Sequence, residues 1–551
     1  MSTDVTAVPA SPVPPVGDGP SAQALGFGAP TGEEHRRILV VLGALMLGMF
    51  LAALDQTIVA TALPTIAGDL HGLNHLYWVV TAYLLTTTIS TPLWGKLGDL
   101  YGRKNLFQLA IVIFLVGSML SGLSQSMVEL IAFRAVQGVG AGGLMVGAQA
   151  IIGDVVPARQ RGKYMGYFGV VFGVTSVAGP LAGGLFTQHL SWRWIFYINV
   201  PIGIVALFVI AAVLHLPTNR VHHKIDWAGI SLLSAGVTAI ILMTTWGGTQ
   251  YRWGSAPILG LALVSVVLLV AFCVVETRST EPVIPLALFR NRTFSSASGV
   301  GFIIGVAMFG AIIYLPLYLQ AVHGATPTAS GLEVLPVVTG MLITFIVSGR
   351  LVTRTGRYKI FPVAGSAVLT VGLVLLSRLG PHTTLPVAAS YMFVVGLGVG
   401  LVLQVLVVAV QNAVPYSQLG VATSTATFFR TIGGAFGVSA LGAVFDSRLL
   451  SQLSAHATKA QLRLLHGGSI TANPAQIDHL PPAQRAVVVD AFSHALQDVF
   501  LVAVPFAALA VVLSLIMKEI PLRTTALVTA APGEGSEGSE PDRAVAGFVE
   551  L

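Results

Sequence analysis

Fourteen long apolar segments constrain the fold of this chain more than any other feature of its sequence. Each is close to the roughly 20 residues that an α-helix needs to cross the hydrocarbon core of a bilayer. The segments lie at 38–60, 76–97, 105–124, 128–150, 162–188, 194–214, 226–246, 257–276, 296–321, 331–353, 360–378, 385–410, 418–445 and 498–517. None shows the alternation of a transmembrane β-strand. We therefore predict an all-α, polytopic membrane protein with fourteen transmembrane helices, which satisfy their own backbone hydrogen bonds in lipid.

The composition excludes an ordinary soluble domain. Hydrophobic residues make up 54% of the 551 residues and charged residues only 9%, whereas soluble domains average about 25% charged residues. The single cysteine, Cys273, lies inside an apolar segment, so the chain offers neither a disulfide nor a cysteine-based metal site. The sequence contains no GxxxxGK[ST] phosphate loop, which argues against direct coupling to ATP. We expect no metal, no cofactor and no enzymatic activity.

The distribution of Lys and Arg predicts how the chain crosses the membrane. If both termini face the cytoplasm, the predicted inner segments hold 20 of these residues and the outer segments hold 7. The positive-inside rule accounts for this asymmetry, so the net charge of +6 reflects topology rather than nucleic-acid binding. Residues 1–37 and 524–551 lack the apolar content of a packed domain. We expect them to be disordered cytoplasmic tails.

An internal repeat divides the chain into two halves. The sequence "GKLGDLYGR" at 95–103 returns as "GRLVTRTGR" at 349–357, with glycine, leucine and basic residues at matching positions. Each copy joins the second and third spans of a six-span unit if spans seven and eight form an inserted hairpin. Related halves are typical of secondary transporters, and a coincidence of two glycine-rich turns is the alternative. The predicted organisation is a bundle at 38–214, a hairpin at 226–276, and a bundle at 296–517 with an extracytoplasmic loop at 446–497.

Five motifs occur in order along the chain. They are "LDQTIVATALPTIAGDL" (54–70), "GKLGDLYGRK" (95–104), "RAVQGVGAG" (134–142), "GVTSVAGPLAGG" (173–184) and "WRWIFYINVPIG" (192–203). Together they resemble the major facilitator superfamily, and within it the fourteen-helix drug:proton antiporters of the EmrB/QacA type. The resemblance covers nearly all of residues 38–520. It implies a protein of the bacterial cytoplasmic membrane that exports drugs or antibiotics in exchange for protons.

The second of these motifs concentrates charge in a chain that otherwise avoids it. Gly95 and Gly102 allow close helix contact and a tight turn. Asp99 can accept hydrogen bonds from a helix N-terminus or from Arg103. The resemblance implies that these four residues, together with Asp154, form a latch that holds the two halves together on the cytoplasmic side. A solvated loop that only sets topology is the alternative.

Two charged residues are predicted inside spans at similar depths. Asp55 lies about 17 residues into the first span, roughly 26 Å from its cytoplasmic end at 1.5 Å per residue. Arg134 enters the fourth span from the outer side and lies about six residues deep. An ionisable group within a span is a functional candidate by default. We predict that Asp55 is the proton-coupling carboxylate and that Arg134 tunes it, with a packing role near the outer interface as the alternative for Asp55.

Further candidates come from the fifth-span motif and from polar residues within or beside the spans. The motif supplies residues that permit close helix contact and a bend, namely Gly173, Gly179, Pro180, Gly183 and Gly184. The candidates for lining a substrate cavity are Gln137, Glu333, Gln404, Gln411 and Arg430. Hydrogen bonds between helices are an equal alternative for the glutamines. For Arg430, a pair with an unidentified carboxylate and a site for an anionic ligand both stay open.

The sequence therefore favours a proton-coupled antiporter that moves amphipathic small molecules across the lipid bilayer by alternating access. The alternatives are an exporter of one specific metabolite or lipid-like compound, an uptake permease, and a membrane sensor or scaffold. An uptake permease gives no reason for the fifth-span motif, and no additional signalling domain supports a sensor. We expect a monomer whose partners are the substrate and protons, and we leave an adaptor protein open.

Overall fold

The computed structural model describes residues 32–70, 76–214, 225–248, 250–456 and 481–523. The predicted tails at 1–31 and 524–551 lie outside these ranges, whereas residues 32–37 of the predicted N-terminal tail are helical. The described residues form helices and include no β-strand. The α-helices are α1 (Gly32–Asp69), α2 (Leu76–Tyr101), α3 (Arg103–Leu123), α4 (Met127–Val155), α5 (Ala158–His189), α6 (Trp194–Tyr197), α7 (Asn199–Val213), α8 (Trp227–Trp246), α9 (Ala256–Glu276), α10 (Arg292–His323), α11 (Pro327–Glu333), α12 (Leu335–Thr355), α13 (Ile360–Leu376), α14 (Leu385–Asn412), α15 (Leu419–His456) and α16 (Pro482–Ile516).

Twelve stretches of the described chain are long and apolar enough to cross a membrane. They fall on all of the predicted spans except two, which confirms a multi-pass, all-α membrane protein. The exceptions are α2, which is not among the twelve, and α13, which is a shorter apolar helix of 17 residues. The count of fourteen spans therefore stays a prediction that depends on these two helices.

Packing explains why α2 is less apolar than its neighbours. Five Thr and Ser residues lie within 86–91, and some of these hydroxyls bond to another helix. The Thr87 hydroxyl donates to the carbonyl oxygen of Gly138 in α4 over 3.0 Å, and Trp94 Nε1 donates to that of Val139 over 2.7 Å. Because α2 packs against both α4 and α15, its hydroxyl groups serve contacts between helices.

The helices pack as two groups with a hairpin beside them. Helices α1 to α7 form the first group and α10 to α16 form the second. Helices α8 and α9 pack on each other, and α8 also contacts α2 and α15, where Leu85 and Phe428 join one apolar cluster. The groups meet where α2 contacts α15 and where α5 contacts α12. The repeat copies at 95–103 and 349–357 lie at the ends of α2 and α12, and thus at these two meeting points.

Helices α15 and α16 extend beyond the predicted spans. Helix α15 continues to His456 and α16 begins at Pro482, so much of the predicted loop 446–497 is helical. The rings of Phe445 and Phe492 meet edge to face with centroids 5.5 Å apart, so the two extensions pack on each other. Polar residues ended the predicted spans, but a helix needs apolar residues only on the face that packs. Residues 457–480 of this loop lie outside the described ranges.

Candidate functional site

Asp55, Arg134 and Gln137 form one buried cluster between α1 and α4. Arg134 Nη1 donates a hydrogen bond to Asp55 Oδ2 and another, of 2.9 Å, to Gln137 Oε1. Gln137 Nε2 donates to Asp55 Oδ1 over 2.8 Å. All three residues are at most 1% exposed. The structure thus brings Asp55 and Arg134 into contact and adds Gln137, which the sequence suggested only as a cavity candidate.

Asn199, in α7, is a further hydrogen-bond partner of Asp55 that sequence reasoning missed. Its Nδ2 donates to Asp55 Oδ1 over 3.3 Å and to Ser118 Oγ over 3.0 Å. Ser118 Oγ in turn donates to the carbonyl oxygen of Phe196 over 2.8 Å. The sequence did contain a signal for this role, because Asn199 is an amide residue that interrupts the apolar run of the motif at 192–203. Two helices other than its own, α4 and α7, therefore hold the Asp55 carboxylate.

Aromatic rings cover the Arg134 guanidinium. Its central carbon lies 4.1 Å from the ring centroid of Tyr83 and 5.9 Å from that of Phe196. The Tyr83 hydroxyl donates to the carbonyl oxygen of Ala52 over 3.3 Å. Cation–π contacts are strongest where water is excluded. The positive charge is thus balanced in an enclosed site, and removing one partner of such a buried pair costs about 3–5 kcal/mol.

A second charged cluster ties α2 to α15. Arg103 Nη2 donates to Asp99 Oδ1 over 2.6 Å, and Arg103 Nη1 donates to Asp154. The Asp99 carboxylate also accepts hydrogen bonds from the backbone N–H groups of Gly420 and Val421, over 2.9 and 2.8 Å. These groups belong to the first turn of α15, so a negative charge faces the positive end of a helix dipole. This end of the bundle, which holds residues 95–104, is termed the motif end.

Glycines permit the close approach of α2 and α15. A Cβ atom on Gly95 would lie 2.6 Å from the carbonyl oxygen of Gly420. Gly102, between α2 and α3, has a φ of 93°, a value that residues with side chains rarely adopt. The turn and the close helix contact that the motif predicted are both present.

Uncharged contacts join the two helix groups at the same end. Gln411 Nε2 in α14 donates to the carbonyl oxygen of Gln149 in α4 over 3.0 Å, so Gln411 lies at the motif end rather than in a central cavity. A Cβ atom on Gly162 in α5 would lie 3.0 Å from the carbonyl oxygen of Gly349 in α12. The two groups are therefore closed against each other at the motif end.

The chain after α16 makes a further contact that sequence reasoning missed. Residues 517–523 are termed the C-terminal strap. The backbone N–H of Tyr358 donates to Glu519 Oε1 over 3.1 Å. The Tyr358 hydroxyl donates to the carbonyl oxygen of Lys518 over 3.1 Å and accepts from the N–H of Ile520 over 2.9 Å. The strap is thus fixed to the chain segment that precedes α13.

The last residue of the strap reaches the first helix group. The backbone N–H of Arg159, in α5, donates to the carbonyl oxygen of Arg523 over 3.1 Å. The Arg523 guanidinium lies 5.6 Å from the ring centroid of Tyr416, and the carbonyl oxygen of Tyr416 accepts from Arg103 over 3.5 Å. The strap therefore links the second group to the first beside the Asp99 cluster.

The fifth-span motif lies mostly at helix contacts. A Cβ atom on Gly183 would lie 2.8 Å from a carbonyl oxygen of α1, and Gly179 also faces α1 closely. A Cβ atom on Gly173 would lie 2.6 Å from a leucine of α12. Pro180 lies inside α5, whereas Gly184 has open space beside it. The predicted close approach is thus present at three of the four glycines.

Three other candidates join neither cluster. Gln404 is buried in α14, and its Oε1 accepts no hydrogen bond from any residue that the structure describes. Glu333 ends α11, and its Oε2 is buried without a hydrogen-bond partner in the described part of the chain. Arg430 is half-buried in α15 and makes no hydrogen bond or ion pair in the described part of the chain. Among the described residues, no carboxylate pairs with Arg430, and its role as a site for an anionic ligand stays a prediction.

Comparison with known proteins agrees with the fold and the motifs. Residues 45–438 match the Major Facilitator Superfamily. The chain is 43% identical over 503 residues to an uncharacterized MFS-type transporter of Mycobacterium tuberculosis, which covers 91% of this chain and 72% of that protein. It is 38% identical over 518 residues to the multidrug transporter protein MdtP of Bacillus subtilis, which covers 89% of this chain and 95% of that protein.

A solved structure shares the fold. The proton:xylose symporter XylE aligns with a TM-score of 0.59 and 14% identity, over 88% of this chain and 97% of that one. The chain therefore belongs to the major facilitator superfamily, and it is a membrane transporter rather than an enzyme. The predicted superfamily is confirmed, while the fourteen-helix antiporter branch and the substrate stay predictions.

Proposed function

We propose that this protein is a proton-driven antiporter that exports amphipathic small molecules by alternating access. The observation that carries the proposal is the buried cluster of Asp55, Arg134 and Gln137. Similarity to a protein named as a multidrug transporter supports the substrate class. The energy source is the proton gradient, since each entering proton gains about 2.3 kcal/mol per 100 mV and about 1.36 kcal/mol per pH unit.

Proton binding to Asp55 changes the cluster in a defined way. The carboxylate accepts hydrogen bonds from Arg134, Gln137 and Asn199. A proton on Asp55 removes its charge and leaves the Arg134 guanidinium without a counter-charge in an enclosed site, which is unfavourable by several kcal/mol. Rearrangement of the first helix group that admits water relieves this penalty. Protonation therefore shifts the population toward another access state.

The contacts at the motif end supply the closed gate of this cycle. We assign the motif end to the cytoplasm of a bacterial cell, because this choice places 20 of the Lys and Arg residues in inner segments and 7 in outer ones. Both termini then face the cytoplasm. Substrate enters from the cytoplasm when the Asp99 cluster and the strap separate, and it leaves on the opposite side when they are closed, as in the structure.

We also assign the chain to the fourteen-helix branch. Helix α2 has 26 residues, which is ample for a span, and it lies between spanning helices. Helix α13 has 17 residues and packs along α14 and α16, and about 17 residues is the lower limit for a span. Both helices are therefore counted as membrane-spanning in this proposal.

The decisive test is the change Asp55→Asn. It should abolish efflux driven by a pH gradient, because the amide cannot carry a proton between the two sides. Asp55→Glu keeps an ionisable group and should retain part of the activity. The measurement uses purified protein in liposomes with an imposed pH gradient and a panel of lipophilic cations, amphipathic anions and neutral antibiotics.

Asp490→Asn is the matched control, because Asp490 is an exposed aspartate of α16 and its loss should leave efflux unchanged. If Asp55→Asn pumped at the parent rate with the same pH profile, the proton path would run through another residue. Transport of a single compound from the panel would favour an exporter of one metabolite. Substrate movement in the same direction as the protons would favour an uptake permease.

A further inference from the structure

Arg430 differs from the three buried arginines of the described chain in having no partner. Arg103 and Arg134 bond to carboxylates, and Arg161 bonds to two backbone carbonyl oxygens. Arg430 makes no hydrogen bond, ion pair or ring contact with any described residue. A guanidinium carries five N–H donors, and an unpaired charge within a membrane span is strongly disfavoured. Some other group must therefore balance it at a stage of the cycle.

The Arg430 side chain is half-buried, and its nitrogens have no partner among the described residues. No charged side chain of the described residues pairs with it. Part of its surface is nevertheless accessible to solvent. None of its nitrogens is among the polar atoms that are both enclosed and unpartnered. Since the nitrogens have no partner, they are not enclosed, and they stay accessible to a ligand.

The neighbouring helix α10 adds apolar surface to this region. A Cβ atom on Gly301 would lie 4.0 Å from Arg430 Cβ, so the base of the arginine side chain lies against α10. Phe302 follows directly, and its ring centroid is 6.0 Å from that of Phe436 in α15. Phe436 is 38% exposed. A cation and an aromatic surface therefore lie along the same pair of helices, which suits a ligand with one charged and one apolar part.

We propose that Arg430 binds the acidic group of the transported compound, so that the protein selects amphipathic anions that carry a carboxylate, sulfonate or phosphate. The proposal rests on the proposed export function and adds the substrate class. The planar guanidinium can hold an acidic group through two parallel hydrogen bonds. The bound ligand then supplies the counter-charge that no described residue provides. Release of the ligand leaves Arg430 unpaired again.

Two fluorescent probes test this directly. Anilinonaphthalene sulfonate and N-phenylnaphthylamine share the same aromatic core and differ in the sulfonate. Their binding to the full-length protein in nanodiscs is measured by energy transfer from tryptophan, with empty nanodiscs as the blank. In Arg430→Gln, affinity for the sulfonate should fall about ten-fold, as expected for loss of a charged hydrogen bond. Affinity for the uncharged probe should stay within about two-fold, which also shows that the variant is folded.

Two further variants sharpen the result. Arg430→Lys retains a positive charge and should keep most of the preference for the sulfonate. Arg354→Gln removes an exposed arginine of α12 and should change neither affinity. An unchanged ratio of the two affinities in Arg430→Gln overturns the proposal, and so does a parent protein that does not bind the sulfonate.

Equilibrium binding needs no proton gradient, so the two proposals fail separately. If sulfonate binding depends on Arg430 but the protein exports nothing, the anion site is supported and the export function is refuted. Export driven by a pH gradient, with an unchanged affinity ratio in Arg430→Gln, would refute the anion site alone.

Discussion

At the scale of single residues, this protein balances buried charge in different ways. Asp55 faces a guanidinium and two amides, all of them on other helices. Asp99 faces Arg103 and the N-terminal N–H groups of α15. Arg430 has neither kind of partner among the described residues. Buried charges are ordinarily paired, so the first two residues fix helices in place, whereas the third is the residue that we propose binds a ligand.

The change Gln137→Glu tests how closely the Asp55 cluster is packed. Gln137 Nε2 lies 2.8 Å from Asp55 Oδ1, so a glutamate of the same shape would bring two carboxylate oxygens to hydrogen-bond distance. They must share a proton, because two like charges at this distance repel strongly. The variant should therefore become less stable as the pH rises, with a lower apparent melting temperature at pH 8 than at pH 6.

Gln137→Ala is the control for this prediction, since it removes the amide without adding a titrating group. Its destabilisation, about 1–3 kcal/mol for an unsatisfied buried partner, should be similar at both pH values. Equal melting temperatures of Gln137→Glu at pH 6 and pH 8 would mean that the cluster admits water or separates readily.

At the scale of elements, helix ends control how the two groups meet. The end of α2 carries Asp99, and the first turn of α15 supplies the N–H groups that bind it. The matching end of α12 lacks this carboxylate, since Thr353 stands at the equivalent position of the repeat. There the contact depends instead on close backbone approach at Gly162 and Gly349. One contact is therefore sensitive to charge, and the other depends on shape.

Asp99→Asn should loosen the charged contact while leaving membrane insertion intact. It replaces charge-assisted hydrogen bonds, worth about 1.5–3 kcal/mol, with weaker neutral ones. A cysteine introduced by Leu419→Cys reports on this, because Leu419 is buried at the start of α15. In a background lacking Cys273, Asp99→Asn should increase the rate of thiol labelling at this position about ten-fold, equivalent to 1.4 kcal/mol.

Lys96→Gln is the matched control, because Lys96 lies in the same motif but makes no hydrogen bond or ion pair with the described residues. It should leave the labelling rate unchanged. Identical labelling of Asp99→Asn and its parent would reduce Asp99 to a determinant of topology.

At the scale of the whole molecule, several contacts join the two groups of helices at the motif end. The repeat copies lie at both meeting points, and the strap adds a third link from α16 to α5. This link is made largely by backbone groups of the strap. Its contribution to closure at the motif end therefore depends on the path of the backbone after α16 rather than on the identity of one side chain.

Truncation separates the strap from the residues that follow it. A chain that stops after Met517 loses the hydrogen bonds to Tyr358 and leaves several buried partners unsatisfied. Its apparent melting temperature in detergent should fall by several degrees, and cysteines at the motif end should be labelled faster. A chain that stops after Arg523 is the control and should match the full-length protein. Equal stability of the two truncated chains would mean that the strap contributes nothing to closure.

Sequence alone determined the helical, membrane-spanning class and the superfamily. Hydropathy is a local property, and a segment of the right length must form a helix in lipid because no water satisfies its backbone. The motifs at 54–70 and 95–104 likewise identified Asp55 and Asp99, since a charge inside or between apolar runs stands out without any structure. Hydropathy was least informative for α2, whose hydroxyl residues face other helices.

Only the tertiary structure decided which residues meet. The partners of Asp55 lie on α4 and α7, 79 to 144 positions away, and no local pattern specifies such distances. Asn199, Gln411 and the strap acquire their roles from the faces that α7, α14 and the chain after α16 present to their neighbours. That Arg430 has no partner among the described residues follows in the same way, because it depends on how the helices pack. Composition sets where helices form, whereas side-chain size and close glycine contacts set how they pack.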